Sequence, residues 1–468
     1  MKIKTVCCWL LFAPFVGNAQ LVHEKSKVYV WPEDALVRQK LEMWRDLKFG
    51  MIIHWGLYAI PGIVESWTLC SEDEDWIPRD STADYTAYKQ WYWNLSKEFN
   101  PVKFNPEQWA LAGKAAGMKY LVFTTKHHDG FCLFDSKETD FTIVRGPFAN
   151  NPKADAAKYV FQAFREQNFM IGAYFSKPDW HSQDYWWPRY ATPNRHNNYD
   201  VRKHPWKWEQ FKQYTYNQLS ELMYNYGAID ILWLDGSWVR PVPPEEQSSC
   251  RWPQDIDIPK IAAMARDAQP GLLIVDRMVY GPYENYQTPE QSIPAVQLDY
   301  PWETCMTLGR DWGYVPNQPF KSARQVIHAL VEIVAKGGSL LLGVGPDAEG
   351  LLPEEVVERL KEIGKWMNKN GTAIYNTRTL AHYRDADIWF TRDKAGKKVY
   401  AIVCLPENTT MLTTVSWKGN KPAKGAAMRC LETGKSVKWK STDNETTVFL
   451  PNNLSSELSA LVLCFTIQ

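Results

Sequence analysis

A (β/α)₈-like barrel followed by a C-terminal antiparallel β-sandwich is the fold class that the sequence predicts, an α/β chain with an all-β end. Three observations carry it. From about residue 48, short apolar runs rich in β-branched residues alternate with helical patterns, which is the pattern of a parallel α/β fold. A stretch of roughly 300 residues built this way suits a barrel with loop insertions. After about residue 372 the helical period stops and short strand candidates follow one another between Gly, Pro, Asn and Lys. A doubly wound sheet is the alternative, but no GxGxxG follows a strand, so no dinucleotide site is indicated.

Taken in order, the chain begins with a targeting pattern. Lys2 and Lys4 supply positive charge, Val6 to Val16 is apolar, and Gly17-Asn18-Ala19 is a small-residue cleavage site. Residues 1–19 are therefore expected to be a secretory signal peptide, and the protein to be exported to a periplasm or the extracellular medium. Residues 20–371 are assigned to the barrel and 372–468 to the sandwich. Barrel strands are expected at Phe49–Trp55, Tyr120–Thr125, Phe169–Phe175, Ile229–Leu234, Leu272–Val275 and Ser339–Val344. Helices are expected at Trp109–Gly117, Ala154–Gln167, Trp206–Tyr226, Ile256–Ala268, Ala323–Lys336 and Pro353–Asn368, the first ending on a Gly stop and the last opening on a Pro start. Sandwich strands are expected at Val399–Leu405, Thr410–Trp417, Ala427–Leu431, Val437–Lys440, Thr446–Leu450 and Ala460–Phe465.

Composition narrows the function. Lys+Arg and Asp+Glu both number 53, so no global basic field exists to hold nucleic acid. Beyond the leader no apolar run is long enough for a membrane span. Seven cysteines lie beyond it, at widely spaced positions without a CxxC pair, so neither a disulfide framework nor a structural zinc site is expected. Trp and Tyr each number 23, a surplus of rings with a polar handle that suits a concave site for a sugar.

In a barrel, chemistry sits at the carboxyl ends of strands. The polar residues that end successive apolar runs are His54 and Trp55; Lys126, His127, His128 and Asp129; Tyr174, Ser176, Asp179, Trp180 and His181; Trp233 and Asp235; and Asp276 and Arg277. Histidines and carboxylates at equivalent ends of several strands point to one shared site. Adjacent histidines on a strand face opposite ways, so His127 and His128 are not expected to ligate one metal ion. A carboxylate rim lined by aromatics suggests glycoside hydrolysis, which needs one carboxylate as nucleophile or base and one carboxylic acid as proton donor. Asp235 is the nucleophile candidate, with Gly236 beside it allowing close approach. For the acid, Glu284, Glu290 and Glu303 all follow the fifth strand, and periodicity does not choose among them.

KFGMIIHWGLY (48–58), YLVFTTKHHDGFCLFDS (120–136), IDILWLDGSW (229–238), IVDR (274–277) and GGSLLLGVGPDAEG (337–350) together resemble the α-L-fucosidases of glycoside hydrolase family 29, over most of residues 31–380. The resemblance implies a barrel with a C-terminal β-sandwich and no metal cofactor. It implies an exo-acting, retaining enzyme that releases terminal α-L-fucose from oligosaccharides or glycoconjugates through a covalent glycosyl-enzyme. Carried over, the nucleophile is Asp235. His54, His127, His128, Tyr174, Trp233 and Arg277 are implied sugar contacts, and Trp312 the aromatic near the C5 methyl. The acid/base is Glu290 of the TPE run, with Glu303 second and Glu284 third. Many members carry adjacent Glu-Trp after the first strand; here Glu65-Ser66-Trp67 stands there, so Glu65 and Trp67 are the expected contacts, followed by an acidic stretch at 71–80. An α-L-galactosidase on the same scaffold and a non-catalytic sugar-binding protein are the alternatives.

Overall fold

The computed structural model describes residues 28–70, 84–192, 194–241, 252–407, 412–451, 454–455 and 457–467. The expected signal peptide, the acidic stretch at 71–80 and Cys250 lie outside the described residues. Seven strands form a parallel sheet: β1 (Phe49–Ile53), β2 (Tyr120–Lys126), β3 (Met170–Ser176), β4 (Ile231–Asp235), β5 (Leu273–Asp276), β6 (Glu303–Thr307) and β7 (Ser339–Val344). Their order is β5-β4-β3-β2-β1-β7-β6. The two outer strands are joined by an irregular segment. Glu284 bridges Val275 of β5, while Gln287 and Glu290 bridge Trp302 and Cys305 on the β6 side, so residues 284–290 close the curled sheet where an eighth strand would stand.

Side chains alternate across each strand, and burial divides them into two sets. Ile52, Val122, Tyr174, Trp233, Val275, Cys305 and Leu341 cluster together inside the curl. Met51, Ile53, Phe123, Phe175, Leu234, Ile274 and Leu342 pack outward under the helices. Helix α1 (Ala35–Leu47) starts at Asp34, whose carboxylate accepts from the N–H groups of Leu36 and Val37. Its Val37, Leu41 and Trp44 share one face and join the inner cluster, with Trp44 stacked on Tyr286 at 4.0 Å. The helix thus packs onto the barrel interior through its apolar stripe. Gly50 faces the same interior, where a Cβ would lie 2.4 Å from the Tyr120 ring.

Helices α2 (Tyr85–Asn94), α3 (Pro106–Ala116), α4 (Ala156–Glu166), α5 (Pro205–Asn225), α6 (Ile258–Ala268), α7 (Ala323–Ala335) and α8 (Glu354–Asn370) complete the barrel unit. Among the described residues no helix is long and apolar enough to cross a membrane. Within the barrel unit, α1, α2 and β6 were not anticipated, and in the C-terminal part neither were the strands between residues 377 and 393. β6 reads Glu-Thr-Cys-Met-Thr and is fully buried without an apolar run.

The C-terminal part is antiparallel throughout: β8 (Thr377–Arg378), β9 (Arg384–Asp385), β10 (Ile388–Asp393), β11 (Val399–Cys404), β12 (Thr414–Trp417), β13 (Met428–Cys430), β14 (Ser436–Ser441), β15 (Thr446–Phe449) and β16 (Ala460–Phe465). The order β12-β15-β14-β13-β16-β11-β10-β8 is a sheet folded over on itself. Trp417 of β12 packs against Phe390 of β10 at 5.9 Å and Phe465 of β16 at 5.6 Å, strands that lie far from β12 in the sheet order. It seats on the barrel through Trp366 of α8, whose indole N–H donates to the Ala460 carbonyl at 2.9 Å.

Candidate active site

The strand period that builds the barrel also aims its polar ends. Ile52 faces inward, and so does His54 two residues on; Trp233 leads to Asp235 in the same way, and Val275 to Arg277. These groups converge on a cavity of about 260 Å³ at the carboxyl ends of the strands. At ~30 Å³ per water that is room for about nine waters, the size of one pyranose ring with its hydroxyls. His54, Trp67, His127, His128, Tyr174, Trp233, Asp235, Arg277, Glu290 and Trp312 all line it.

Asp235 ends β4, and Gly236 follows with φ at 93°, a left-handed turn where a Cβ would meet the Pro178 ring at 2.4 Å. The Tyr174 hydroxyl donates to Asp235 Oδ2 at 2.7 Å, Arg277 Nη1 donates to Oδ1 at 3.1 Å, and His128 Nε2 lies 3.7 Å from Oδ2. Burial alone would raise this carboxyl, but the Arg277 guanidinium, His128 and the Tyr174 hydroxyl outweigh it and hold it well below the usual carboxylate range. Arg277 uses its second arm on Glu290: Nη2 donates to Oε2, while Nε donates to Thr288 Oγ1 at 3.2 Å. One guanidinium therefore grips both carboxylates. The Trp312 indole donates to Glu290 Oε1 at 3.1 Å.

Burial disfavours the charged form of all three histidines. Burial lowers His54 to about 3 and His128 to about 4, and lowers His127 well below its ordinary value. His127 Nδ1 meets Ser66 Oγ, and His128 Nδ1 meets Ser176 Oγ at 2.6 Å. His54 Nδ1 is buried with no hydrogen-bond partner among the described residues.

The expectation that His127 and His128 face opposite ways is corrected here. Pairing of β2 with β3 shifts register between Thr124 and Lys126, and β2 ends at Lys126. Both rings then stand in the turn beyond it, 4.4 Å apart on the cavity wall. Other rim candidates turn away to partners of their own. Lys126 reaches Asp179 at 3.1 Å, Asp276 takes Lys177 at 2.5 Å, and Asp129 accepts from the Tyr92 hydroxyl at 2.7 Å. His181 stacks on Phe141 at 3.9 Å. Among the described residues no three His, Cys, Asp or Glu side chains are grouped to hold a metal ion.

Glu65 is not among the lining residues. It is 1% exposed and accepts the Gly313 N–H at 2.7 Å, behind the loop that carries Trp312. Of the acid candidates, only Glu290 lines the cavity. Glu303 opens β6 at the opposite end of the strand, where it accepts from the Tyr120 hydroxyl at 2.7 Å and from the Trp233 indole at 3.3 Å. Glu284 is buried and accepts from the Met278 N–H at 2.7 Å. Arg195, Ser237, Trp238 and Met278 also line the cavity and were not among the expected site residues. Trp238 had a signal, since it closes the WLDGSW run three residues after Asp235. Arg195 had none: it comes from a long loop after β3 and lies 4.8 Å over the Trp67 ring and 5.1 Å over that of Trp238.

A barrel whose strand ends enclose a one-sugar pocket with two carboxylates on one arginine defines a glycoside hydrolase. The family model described as Alpha-L-fucosidase matches residues 17–372, and that of the Alpha-L-fucosidase C-terminal domain matches residues 382–468. The chain belongs to the α-L-fucosidase family. It is 28% identical to human plasma alpha-L-fucosidase over 381 residues, covering 79% of this chain and 77% of that one. Among solved structures, alpha-L-fucosidase isoenzyme 1 from Paenibacillus thiaminolyticus is similar with a TM-score of 0.75 at 29% identity, over 93% of this chain and 100% of that one. A family 29 α-L-fucosidase from Bacteroides thetaiotaomicron, trapped as a covalent intermediate with 2-fluoro-fucosyl fluoride, gives 0.71 at 25% identity, over 94% and 98%.

Proposed function

We propose that the chain releases terminal α-L-fucose by double displacement, with Asp235 as the nucleophile and Glu290 as the acid/base. The observation that carries this reading is the Arg277 guanidinium, which holds Asp235 through one arm and Glu290 through the other at the same cavity. A retaining mechanism needs its two carboxyl groups about 5–5.5 Å apart, and a shared guanidinium keeps them near neighbours. Asp235, kept ionised, attacks C1 as the bond from C1 to the glycosidic oxygen breaks. Glu290, which takes up a proton from solvent before the step, gives it to that oxygen and the leaving sugar departs. Water then adds to C1, passing its proton to Glu290 and freeing Asp235, so two inversions leave the configuration as it began. Once Asp235 is esterified it carries no charge, and Arg277 faces Glu290 alone.

The neutral histidines suit hydroxyl groups rather than charges. His54 Nδ1, buried without a described partner, is the group we assign to a sugar hydroxyl, beside His127 and His128. Tyr174 stacks under Trp233 at 5.3 Å and together they floor the ring site. Trp312, 5.0 Å from His54, is assigned to the C5 methyl side. Glu65 is assigned a supporting role behind Trp312 in place of direct sugar contact. The charged and apolar pattern of residues 1–19 supports export of the protein.

The reading is tested by trapping. A 2-fluoro-fucosyl fluoride has a good leaving group and an electron-poor ring, so a covalent ester should accumulate. Peptide mass spectrometry should find the fluorofucosyl adduct on Asp235. An adduct on another carboxylate, or turnover without any adduct, would overturn the assignment.

A further inference from the structure

The long loop between β3 and α5 contributes Arg195 to the lining of the one-sugar pocket. Loops of this kind are ordinarily the mobile part of a fold. Here a set of aromatic donors holds the backbone around Arg195. Its carbonyl accepts from the Trp180 indole at 3.1 Å, from the Tyr185 hydroxyl at 2.9 Å and from the Trp238 indole at 3.2 Å, the last shared with the Tyr185 hydroxyl. The next carbonyl, of His196, accepts from the Trp186 indole at 2.9 Å. Gln254, itself buried, meets His196 Nδ1 at 2.8 Å and accepts from the Tyr185 hydroxyl at 2.7 Å. The position of Arg195 is therefore set before any ligand arrives, which lowers the ordering cost of a contact made through it.

The side chain is placed as closely as the backbone. Its guanidinium lies 4.8 Å over the Trp67 ring and 5.1 Å over that of Trp238. Those two rings meet at 5.8 Å, and each meets His128, at 5.0 and 5.2 Å. Arg195 thus stands on the His128 wall of the pocket, whereas Trp312 meets His54 at 5.0 Å. Stacking engages the faces of a guanidinium, while its five N–H groups point outward in the plane and donate to oxygen. Arg277, also in the lining, is committed through its N–H groups to Asp235, Glu290 and Thr288. A guanidinium stacked on two indoles at the wall of a pocket sized for one pyranose ring is suited to an oxygen acceptor carried by that ring.

We infer that Arg195 is a specificity-determining sugar contact, which donates to a ring hydroxyl on the His128 side of the sugar that is released. The inference rests on the reading of the cavity as an L-fucose site. Its test therefore uses free L-fucose, which carries no leaving group, so that only contacts to the released sugar are measured. L-Fucose and its 2-, 3- and 4-deoxy forms are titrated calorimetrically into the unaltered protein and into Arg195→Met, whose unbranched side chain keeps an apolar stem beside the indoles and has no N–H donor. Fucose binding should weaken about tenfold or more, the loss of a hydrogen bond from a charged donor. With one of the deoxy sugars the same substitution should cost no more than about twofold, because the acceptor is already gone, while with the other two the tenfold loss persists. Arg195→Lys keeps the charge and the stem but not the planar fork. It should select the same hydroxyl with a smaller loss, and it decides the matter if the Met variant does not fold. Equal losses with all the sugars would make Arg195 a packing group only and overturn the inference, as would unchanged fucose affinity in Arg195→Met. Failure of the unaltered protein to bind fucose would defeat the L-fucose reading of the pocket itself, and the inference with it.

Discussion

Glu65 accepts the backbone N–H of Gly313 at 2.7 Å, joining the loop after β1 to the loop after β6 across the barrel mouth. The residue before Gly313 is Trp312, whose indole donates to Glu290 at 3.1 Å. A buried carboxyl thus props the loop that touches a proposed catalytic group.

That carboxyl also makes stability depend on pH. Burial raises Glu65 from 4.5 to about 8, more than its backbone donors Gly313 and Trp312 lower it. Between those values the folded protein keeps a proton that the unfolded chain releases. The contribution is therefore full below about 4.5 and is lost as pH rises through about 8. Glu65→Gln has no such proton. Its melting temperature relative to the unaltered protein should improve from pH 5 to about pH 8 and level off above that. A difference that stays constant across that range would show that Glu65 titrates normally.

Asp235→Asn keeps the shape and can still accept from Tyr174, but it removes the charge that attacks C1 and that balances Arg277. Turnover of an aryl α-L-fucoside should fall on the order of 10⁴-fold with folding intact, as for other enzymes stripped of a nucleophile. Activity within about tenfold of the unaltered enzyme would remove Asp235 from the mechanism.

The barrel was legible where its strands are apolar on both faces, as in SLLLGV and IDILWL, because buried parallel strands read as continuous runs. β6 was not, because its inward side carries Glu303, Cys305 and Thr307 and its outward side Thr304. Its neighbours bury it on grounds its own residues do not announce. The site was legible to the same depth. His54, Asp235 and Arg277 continue the inward parity of their strands, so strand ends located them. Asp276 was read at the same rim, yet its parity is opposite and it serves Lys177. Arg195 arrives from a loop, where no period exists to place it. Glu65 was expected at the sugar because the resemblance places a Glu-Trp pair there, but a 3₁₀ turn over Ser66–Leu69 separates Glu65 from Trp67, sending Trp67 to the cavity and Glu65 behind the loop of Trp312.

The thiols should be dispensable. Cys70, Cys132, Cys305, Cys404 and Cys430 are buried, and Cys464 is partly so. Cys305 comes nearest the site, 3.9 Å from Arg277 Nη2, but burial pushes its thiol far above the ordinary range, so little reactive thiolate forms. Iodoacetamide treatment of the native enzyme should leave kcat/KM within about twofold. Inactivation that fucose prevents would reveal a thiol at the pocket.

Glu290 lends itself to a finer test, because a proton donor matters in proportion to how badly the leaving group needs a proton. Its side chain is 39% exposed at the cavity edge, against 16% for Asp235, so it stands toward the mouth where a leaving group exits. Glu290→Ala should slow an oligosaccharide, with its basic leaving oxygen, by at least about a hundredfold, and an activated aryl fucoside far less in the first step. For the aryl substrate the second step then limits, since water lacks its base and the ester accumulates. Azide needs no base, so adding it should restore turnover and release a fucosyl azide of retained configuration. Removing Glu290 also frees the Arg277 arm that held it, a place where a small anion can sit. The fucosyl azide product, and not restored turnover alone, therefore reports chemistry at C1 as against repair of the ion pair. Glu303→Ala and Glu284→Ala serve as controls: Glu303 lies beneath Trp233 and Glu284 is tied to the Met278 amide. If azide revives either of those variants and leaves Glu290→Ala inert, the proton donor is the residue that was revived, and Glu290 is only a partner for Arg277 and Trp312.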